Sequence, residues 1–402
     1  MGFINEAGFR QQKREPGKRT TTPRREFVKS LLAGTAGLTL LPPLVRAANK
    51  ETFAFPLLGD LHYDKLTCHD LERLGREKPD DLRQVREYSS LTSDTLPRLF
   101  ASVRQTMAGL NRSGDTTAPF IVQVGDLVEG LCGSAEQAAQ LDAAALAFVR
   151  EACPGVPFLF TKGNHDVTGP GAAEAFKSVF HPFLGQQAAI WGGDSRLNSA
   201  RYRIEYGNAL FCFFDAYDKE SLPWLEAELE RRTARHCFVI IHPPVVPYGA
   251  RSTWHIFSNE REKANRERLL ELLGKHNVFV LSGHIHKYNL LVRATPRGGK
   301  FLQLAVSSVI NAPDPQPHHV LSGVKDYNGD QVSVEPSFSP ATAEQRRAVY
   351  ETEAPLVKQF QYADLPGYAM IQVSGPSVTA TIYGGYKRQP WRTLALSELL
   401  AS

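Results

Sequence analysis

In the last third of the chain a hydrophobic run ends in "VFVLSGHIH", which places His284 and His286 one residue apart at the close of a strand-like segment. On an extended chain residues i and i+2 face the same way, so two imidazoles would stand together where a metal ion could be held. Two histidines are too few ligands, and the rest of the chain supplies more. Asp60 and His62 lie in "GDLH", Asp126 in "GDLVEG", and Asn164, His165 and Asp166 in "GNHD", while His242 closes "HCFVIIH". Carboxylate, amide and imidazole groups without a thiolate suit Mn, Fe, Zn or Ni better than Ca or Mg, and they argue against a structural Cys-type zinc site.

Two aspartates (Asp60, Asp126), one asparagine (Asn164) and four histidines (His62, His242, His284, His286) exceed the ligands of one simple site. A single ion would strand several polar groups at buried strand ends, each costing about 1–3 kcal/mol. Two ions about 3.5–4 Å apart that share a carboxylate would use the whole set. Gly59, Gly125, Gly163 and Gly283 precede the motifs and permit tight turns and close backbone approach.

Such a site needs rigid elements behind it. Strand-like runs end at Asp60, Asp126, Asp166, His242 and His286, and others span 209–217 and 300–308. Pro56 weakens the middle of the first. Helical patterns fall at roughly 81–110, 135–152, 222–232 and 261–275. Alternating β and α elements argue for an α/β fold with largely parallel strands, whose carboxyl ends are where ligands gather. Residues 64–115 form a helix-rich, charged insertion, and 312–340 read as a loop. Beyond it lie a helical stretch interrupted by Pro355 and a hairpin over 368–385 turning at Gly375-Pro376. The expected organisation is an export signal over 1–47, a catalytic domain over 48–311, and a C-terminal appendage over 312–402 that could alternatively complete a sheet edge.

The 402 residues are 42% hydrophobic and 22% charged, a globular composition. Residues 1–47 carry nine Lys/Arg and three Asp/Glu of a chain whose net charge is +4, so the body sums to −2. A body near neutrality offers no electrostatic footprint for nucleic acid. The basic excess belongs to "TTPRREFVKSLLAGTAGLTLLPPLVRAANK". There Arg24 and Arg25 precede a mildly apolar run, too short for a membrane span, and cutting after Ala47 fits the small-x-small pattern. This segment resembles a twin-arginine signal. It implies passage through the twin-arginine export machinery, a periplasmic or extracellular location, and no stable membrane span in the mature protein. The five cysteines are too few and too scattered for a disulfide framework.

The ordered set "GDLH … GDLVE … GNHD … H … GHIH", from residue 59 to 286, resembles the calcineurin-like metallophosphoesterases. The resemblance implies a four-layer αββα sandwich of two mixed sheets between helices. It implies two divalent transition metal ions, the first held by Asp60, His62 and His286, the second by Asn164, His242 and His284, with Asp126 bridging. His165 would then be the proton donor to the leaving oxygen, and Glu129 the acidic partner that orients it. The reaction implied is hydrolysis of a phosphoester, on a phosphorylated small molecule. Two cations neutralise the phosphoryl charge and acidify a water for attack.

Leu127, Val128 and Glu129 stand where purple acid phosphatases place an iron-binding Tyr, which argues against a Tyr–Fe(III) site. Tyr63 and Arg251 are candidate substrate contacts: Tyr63 follows the first motif, and Arg251 lies in the loop beyond His242. A fold-retaining binding protein with weak or no catalysis is the alternative. Phosphomonoester, phosphodiester and nucleotide substrates all stay open, because the motifs report the phosphate and not the group attached to it.

Overall fold

The computed structural model describes residues 51–113, 116–248, 255–328 and 340–402. The expected export signal over 1–47 lies outside the described residues. Fourteen strands occur among them: β1 Thr52–Leu58, β2 Ile121–Gln123, β3 Phe158–Phe160, β4 Tyr202–Tyr206, β5 Ala209–Phe213, β6 His236–Ile240, β7 Phe279–Ser282, β8 Tyr288–Ala294, β9 Lys300–Ala305, β10 Val320–Ser322, β11 Val357–Ala363, β12 Gly367–Ser374, β13 Ser377–Gly384 and β14 Pro390–Ala395. The principal helices are α1 Leu71–Glu77, α2 Pro79–Asp94, α3 Leu96–Ser113, α4 Ala135–Ala152, α5 His181–Ala189, α6 Ser221–Glu230, α7 Lys263–Lys275, α8 Pro340–Glu353 and α9 Leu396–Ala401.

The strands form two mixed sheets, ordered β14-β13-β12-β1-β2-β3 and β10-β11-β8-β9-β7-β6-β5-β4. The mixed α/β architecture with two sheets and flanking helices is the one the resemblance implies. The strands are not largely parallel as the alternation suggests: among the described residues seven strand pairs are antiparallel and five parallel, because the C-terminal strands and the hairpins add antiparallel neighbours. Period-two alternation builds it. In β5, Phe211 and Phe213 join the core between the sheets, whereas Leu210 and Cys212 join the core under α6 and α7. In β6, Phe238 and Ile240 point one way and Cys237 and Val239 the other. Strands apolar on both faces must be covered on both faces.

Aromatic rings lock the two sheets together. Phe55 of β1 meets Phe211 edge-on at 5.2 Å and Phe238 at 5.4 Å, and Phe120 meets Phe211 at 5.3 Å. Each of these rings is wholly buried, a contribution of about 1.5–3 kcal/mol apiece. On the far side of the first sheet, Leu99, Phe100 and Val103 of α3 and Leu141, Ala145 and Val149 of α4 cover it.

Pro56 sits in a central strand at no cost to the ladder. The Ala54 N–H donates to the Thr117 carbonyl, and regular pairing with β2 resumes at Leu57. Pro56 lies between these contacts, where no partner N–H is called for. The single helix expected over 81–110 is two helices, α2 and α3, broken at Thr95. Pro97 explains the break, because its ring clashes with the preceding turn and it has no N–H to continue the helix. All five cysteines are buried and free.

The C-terminal stretch is part of the sheets, not an appendage to them. The expected hairpin forms as β12 and β13. β12 then pairs antiparallel with β1 from Leu58↔Tyr368 to Thr52↔Ser374, which puts β1 in the sheet interior. The segment after Pro355, expected as helix, is β11, and it pairs with β8 of the second sheet. Glu353 at the end of α8 is buried between Arg293 of β8 and Arg266 of α7, at 2.6 Å from each. Truncation after Asp364 is therefore expected to abolish the cooperative thermal transition followed by circular dichroism; a truncated chain melting like the full chain would contradict this.

Candidate metal centre

Five strands, from both sheets, deliver the polar residues. The parallel strands β1, β2 and β3 end before Asp60–His62, Asp126 and Asn164–His165. The parallel strands β6 and β7 end before His242 and His284. The seam is stitched by direct bonds: Thr161 Oγ1 donates to the Phe214 carbonyl at 2.8 Å, and Lys162 pairs with Asp215 at 2.5 Å. The His284 N–H donates to Asp60 Oδ1 at 2.8 Å.

The turns after these strands are left-handed. His62, Asp126, His284 and His286 have φ of 45°, 55°, 71° and 57°. Side-chain-bearing residues reach this region at a cost of about 1–3 kcal/mol each, and such strain clusters at functional sites. The extended geometry expected for His284 and His286 therefore does not hold. β7 stops at Ser282, and the two rings go to different partners. His284 Nδ1 lies 3.0 Å from His242 Nε2, and His286 Nε2 lies 2.9 Å from His62 Nε2.

Three groups of potential ligands result among the described residues: one is the hydrogen-bonded set His62, Glu129 and His165, and the other two share one carboxylate. Asp60, His62, Asp126 and His286 converge in one, and Asp126, His242 and His284 in the other, with the ligand atoms of each within 4.8 Å of one another. Asn164 Oδ1 adjoins the second group, 3.1 Å from His242 Nε2. Asp126 Oδ1 accepts the His165 N–H at 2.8 Å, which turns Oδ2 to the rings, 3.1 Å from His242 Nε2 and 3.8 Å from His62 Nε2. Gly163 permits this approach, since a Cβ there would collide with the Asp126 carboxylate. Asp166 braces the two turns: its carboxylate accepts from the backbone N–H groups of Asp126, Val128 and Gly163.

The residues fit cations. Asp60 Oδ2 is buried with no hydrogen-bond partner, a costly state unless a positive charge faces it. Both wholly enclosed histidines also have one ring nitrogen committed elsewhere: His62 Nδ1 to Glu129 Oε2 at 2.6 Å and His242 Nδ1 to the Val124 carbonyl at 3.0 Å. Each Nε2 is thereby aimed inward, the usual arrangement behind metal-binding imidazoles.

The Glu129 carboxylate consequently sits on His62 and not chiefly on His165. It reaches His165 Nδ1 at 3.5 Å, while that nitrogen bonds the Glu129 carbonyl at 2.8 Å. Tyr63 is 3% exposed and packs its ring on Phe148, so it belongs to the core and not to a substrate surface. Arg251 lies outside the described residues. Two residues of the insertion, Gln84 and Tyr88, touch the site and were not foreseen: Gln84 donates to Glu129, and Tyr88 stacks on His62. Their only signal in the sequence is the unusual length of the insertion.

Charge balance within the site is tense. Burial disfavours a charged His62 ring, but Glu129, Asp126 and Asp60 outweigh it and raise its pKa to about 9. Burial likewise opposes the His242 cation, and Asp126 and Asp60 raise it to about 9. Burial, reinforced by Asp126, raises Asp166 to about 6. Cations must displace the two imidazole protons, so apparent metal affinity should climb with pH up to about 9 and flatten beyond. Adding Mn to metal-free protein at pH 7 should release about two protons, read as the dependence of calorimetric heat on buffer ionisation enthalpy. Heats independent of the buffer would contradict this.

A family model described as calcineurin-like phosphoesterase matches residues 55–288, the stretch that holds every motif above. Similar solved structures include a dimetal phosphatase from Danio rerio, with 14% identity, 86% of this chain and 99% of that chain covered, and a TM-score of 0.47. GAP50, the anchor in the inner membrane complex of Plasmodium, shares 14% identity over 86% of this chain and 88% of its own, with a TM-score of 0.45. The purple acid phosphatase PPD1 from yellow lupin seeds shares 12% identity over 87% of this chain and 55% of its own, with a TM-score of 0.48. No curated protein sequence matches the chain. The family match spans more than half of the sequence, and the chain belongs to the calcineurin-like phosphoesterase family.

Proposed function

We propose that the protein is a dinuclear-metal hydrolase of a phosphoester that acts outside the cytoplasm, with His165 as the proton donor to the leaving group. The observation that carries this reading is the pair of ligand groups joined at Asp126. Asp60, His62, Asp126 and His286 would hold one ion, and Asp126, Asn164, His242 and His284 the other. Two such ions supply neutralisation of phosphoryl charge and a water acidic enough to attack at neutral pH.

The remaining work falls to the protein. The His165 backbone fixes the carboxylate shared by the two ligand groups through its bond to Asp126 Oδ1. Its ring bonds the Glu129 carbonyl through Nδ1, which fixes the ring and leaves Nε2 for an incoming group. The His165 side chain is 18% exposed, against none for His62 and His242, so it stands at the opening of the site. An imidazole so placed can protonate a departing alkoxide, which is worth about 10²–10⁴-fold.

The location outside the cytoplasm rests on the twin arginines and the apolar run of the N-terminal segment. No helix among the described residues is long and apolar enough to cross a membrane. Replacing Arg24 and Arg25 with Lys should leave uncleaved precursor in the cytoplasm; normal export and trimming would show that the segment is not a twin-arginine signal.

Nitrophenyl mono- and diesters assayed with Mn, Zn, Fe and Ni test the activity itself and separate monoester from diester preference. The same assay resolves His165. His165→Ala should keep both metals and lose about 10²–10⁴-fold in kcat/KM on an alkyl ester, with a much smaller loss on a nitrophenyl ester that needs little protonation. Equal losses on both would assign His165 to charge stabilisation instead, and loss of a metal would make it a ligand.

A further inference from the structure

The insertion does more than lengthen the connection between the first two motifs. Helix α2 turns Gln84, Val85, Tyr88, Ser89 and Thr92 along one face, at the spacing of successive helical turns. That stripe meets His62, its partner carboxylate Glu129, and Asp64 just beyond the first motif. Gln84 Nε2 donates to Glu129 Oε1 at 2.6 Å, while the other oxygen of that carboxylate is the one 2.6 Å from His62 Nδ1. The Tyr88 ring lies flat on the His62 ring, with centroids 4.4 Å apart and planes at 18°.

The helix is itself pinned next to these contacts. Ser89 Oγ donates to Asp64 Oδ2 at 2.5 Å, and Thr92 Oγ1 accepts the Asp64 N–H at 2.8 Å. His69 Nε2 meets the remaining Asp64 oxygen at 2.5 Å. Asp64, two residues beyond His62, is 1% exposed and fully engaged, so α2 cannot slide without stranding a buried carboxylate.

The two enclosed histidines are thus held by different means. His242 is fixed by the sheet itself, through the Val124 carbonyl. His62 is fixed by a carboxylate that the insertion clamps and by a ring that the insertion supplies. We propose that Gln84 and Tyr88 are positioning residues for the cation position built on Asp60, His62 and His286, so that the insertion sets the affinity of that position and leaves the His242–His284 position untouched. This rests on the dinuclear reading above. Glu129 is wholly buried, and without the Gln84 donor its Oε1 loses the partner that keeps Oε2 directed at His62. Without Tyr88 the imidazole loses the surface that limits its rotation. Loss of such outer contacts typically weakens a metal site by about 10–100-fold.

The test is stepwise removal of metal from the loaded full-length protein with a graded chelator, with an elemental count at each step and a melting curve of each metal-free variant. Wild type should hold two ions. In Gln84→Met and Tyr88→Ala one ion should leave at about 10–100-fold lower chelator strength and the other at the wild-type strength. Tyr88→Phe, which keeps the ring, should behave as wild type. If Tyr88→Ala does not fold, Gln84→Met, close to isosteric, carries the test. Variants that keep both ions as wild type does, or that lose both together, would overturn the proposal while leaving the dinuclear reading in place. A wild type that never holds two ions would overturn both.

Discussion

The site turns on one carboxylate that is held on one side and presented on the other. Asp126 takes a left-handed backbone conformation, its own N–H is fixed by Asp166, and its Oδ1 is occupied by the His165 N–H. Only Oδ2 is left facing the imidazoles of both sheets. Burial opposes its charge, but His242 and His165 hold Asp126 well below the ordinary carboxylate range. Asp60, Glu129 and Asp166 are buried within the same few turns. So many carboxylates can share a dry site only if positive charge is shared among them, as imidazole protons in the metal-free protein or as metal ions when loaded.

The fold serves that requirement by closing two sheets around a layer of phenylalanines and bringing the carboxyl ends of five strands to a common rim. The rim is strained at four polar residues, and the strain persists because each is held independently. β1 is paired on both sides, one of them supplied by β12 from near the C-terminus. A residue such as His62 can therefore occupy an unfavourable conformation without the strand end relaxing. The insertion adds a further constraint on the same residue, from a segment that is not part of either sheet.

Much of this was legible in the sequence, for a physical reason. A buried strand followed by Gly and then by Asp, Asn or His is a local pattern, and four of the five motifs carry it within a few residues. Their union into two groups sharing Asp126 was implied by the family resemblance and agrees with how the side chains converge. What escaped depends on distant contacts. The H-x-H pair reads as extended, yet Ile285 sits between two left-handed residues that send the rings apart. Glu129 reads as a partner for His165, yet its carboxylate meets His62, because only the folded turn decides which imidazole is nearer. Gln84 and Tyr88 look like ordinary polar positions on a charged helix. β11 looked helical up to Phe360, and its strand character comes from pairing with β8.

The central claim is that one carboxylate serves two cation positions. Anomalous diffraction from crystals of the full-length protein loaded with Mn measures it most directly. The account predicts two peaks about 3.5–4 Å apart, on either side of Asp126 Oδ2, one beside His62 and His286 and the other beside His242 and His284. A single peak, or peaks that leave Asp126 unbridged, would contradict it.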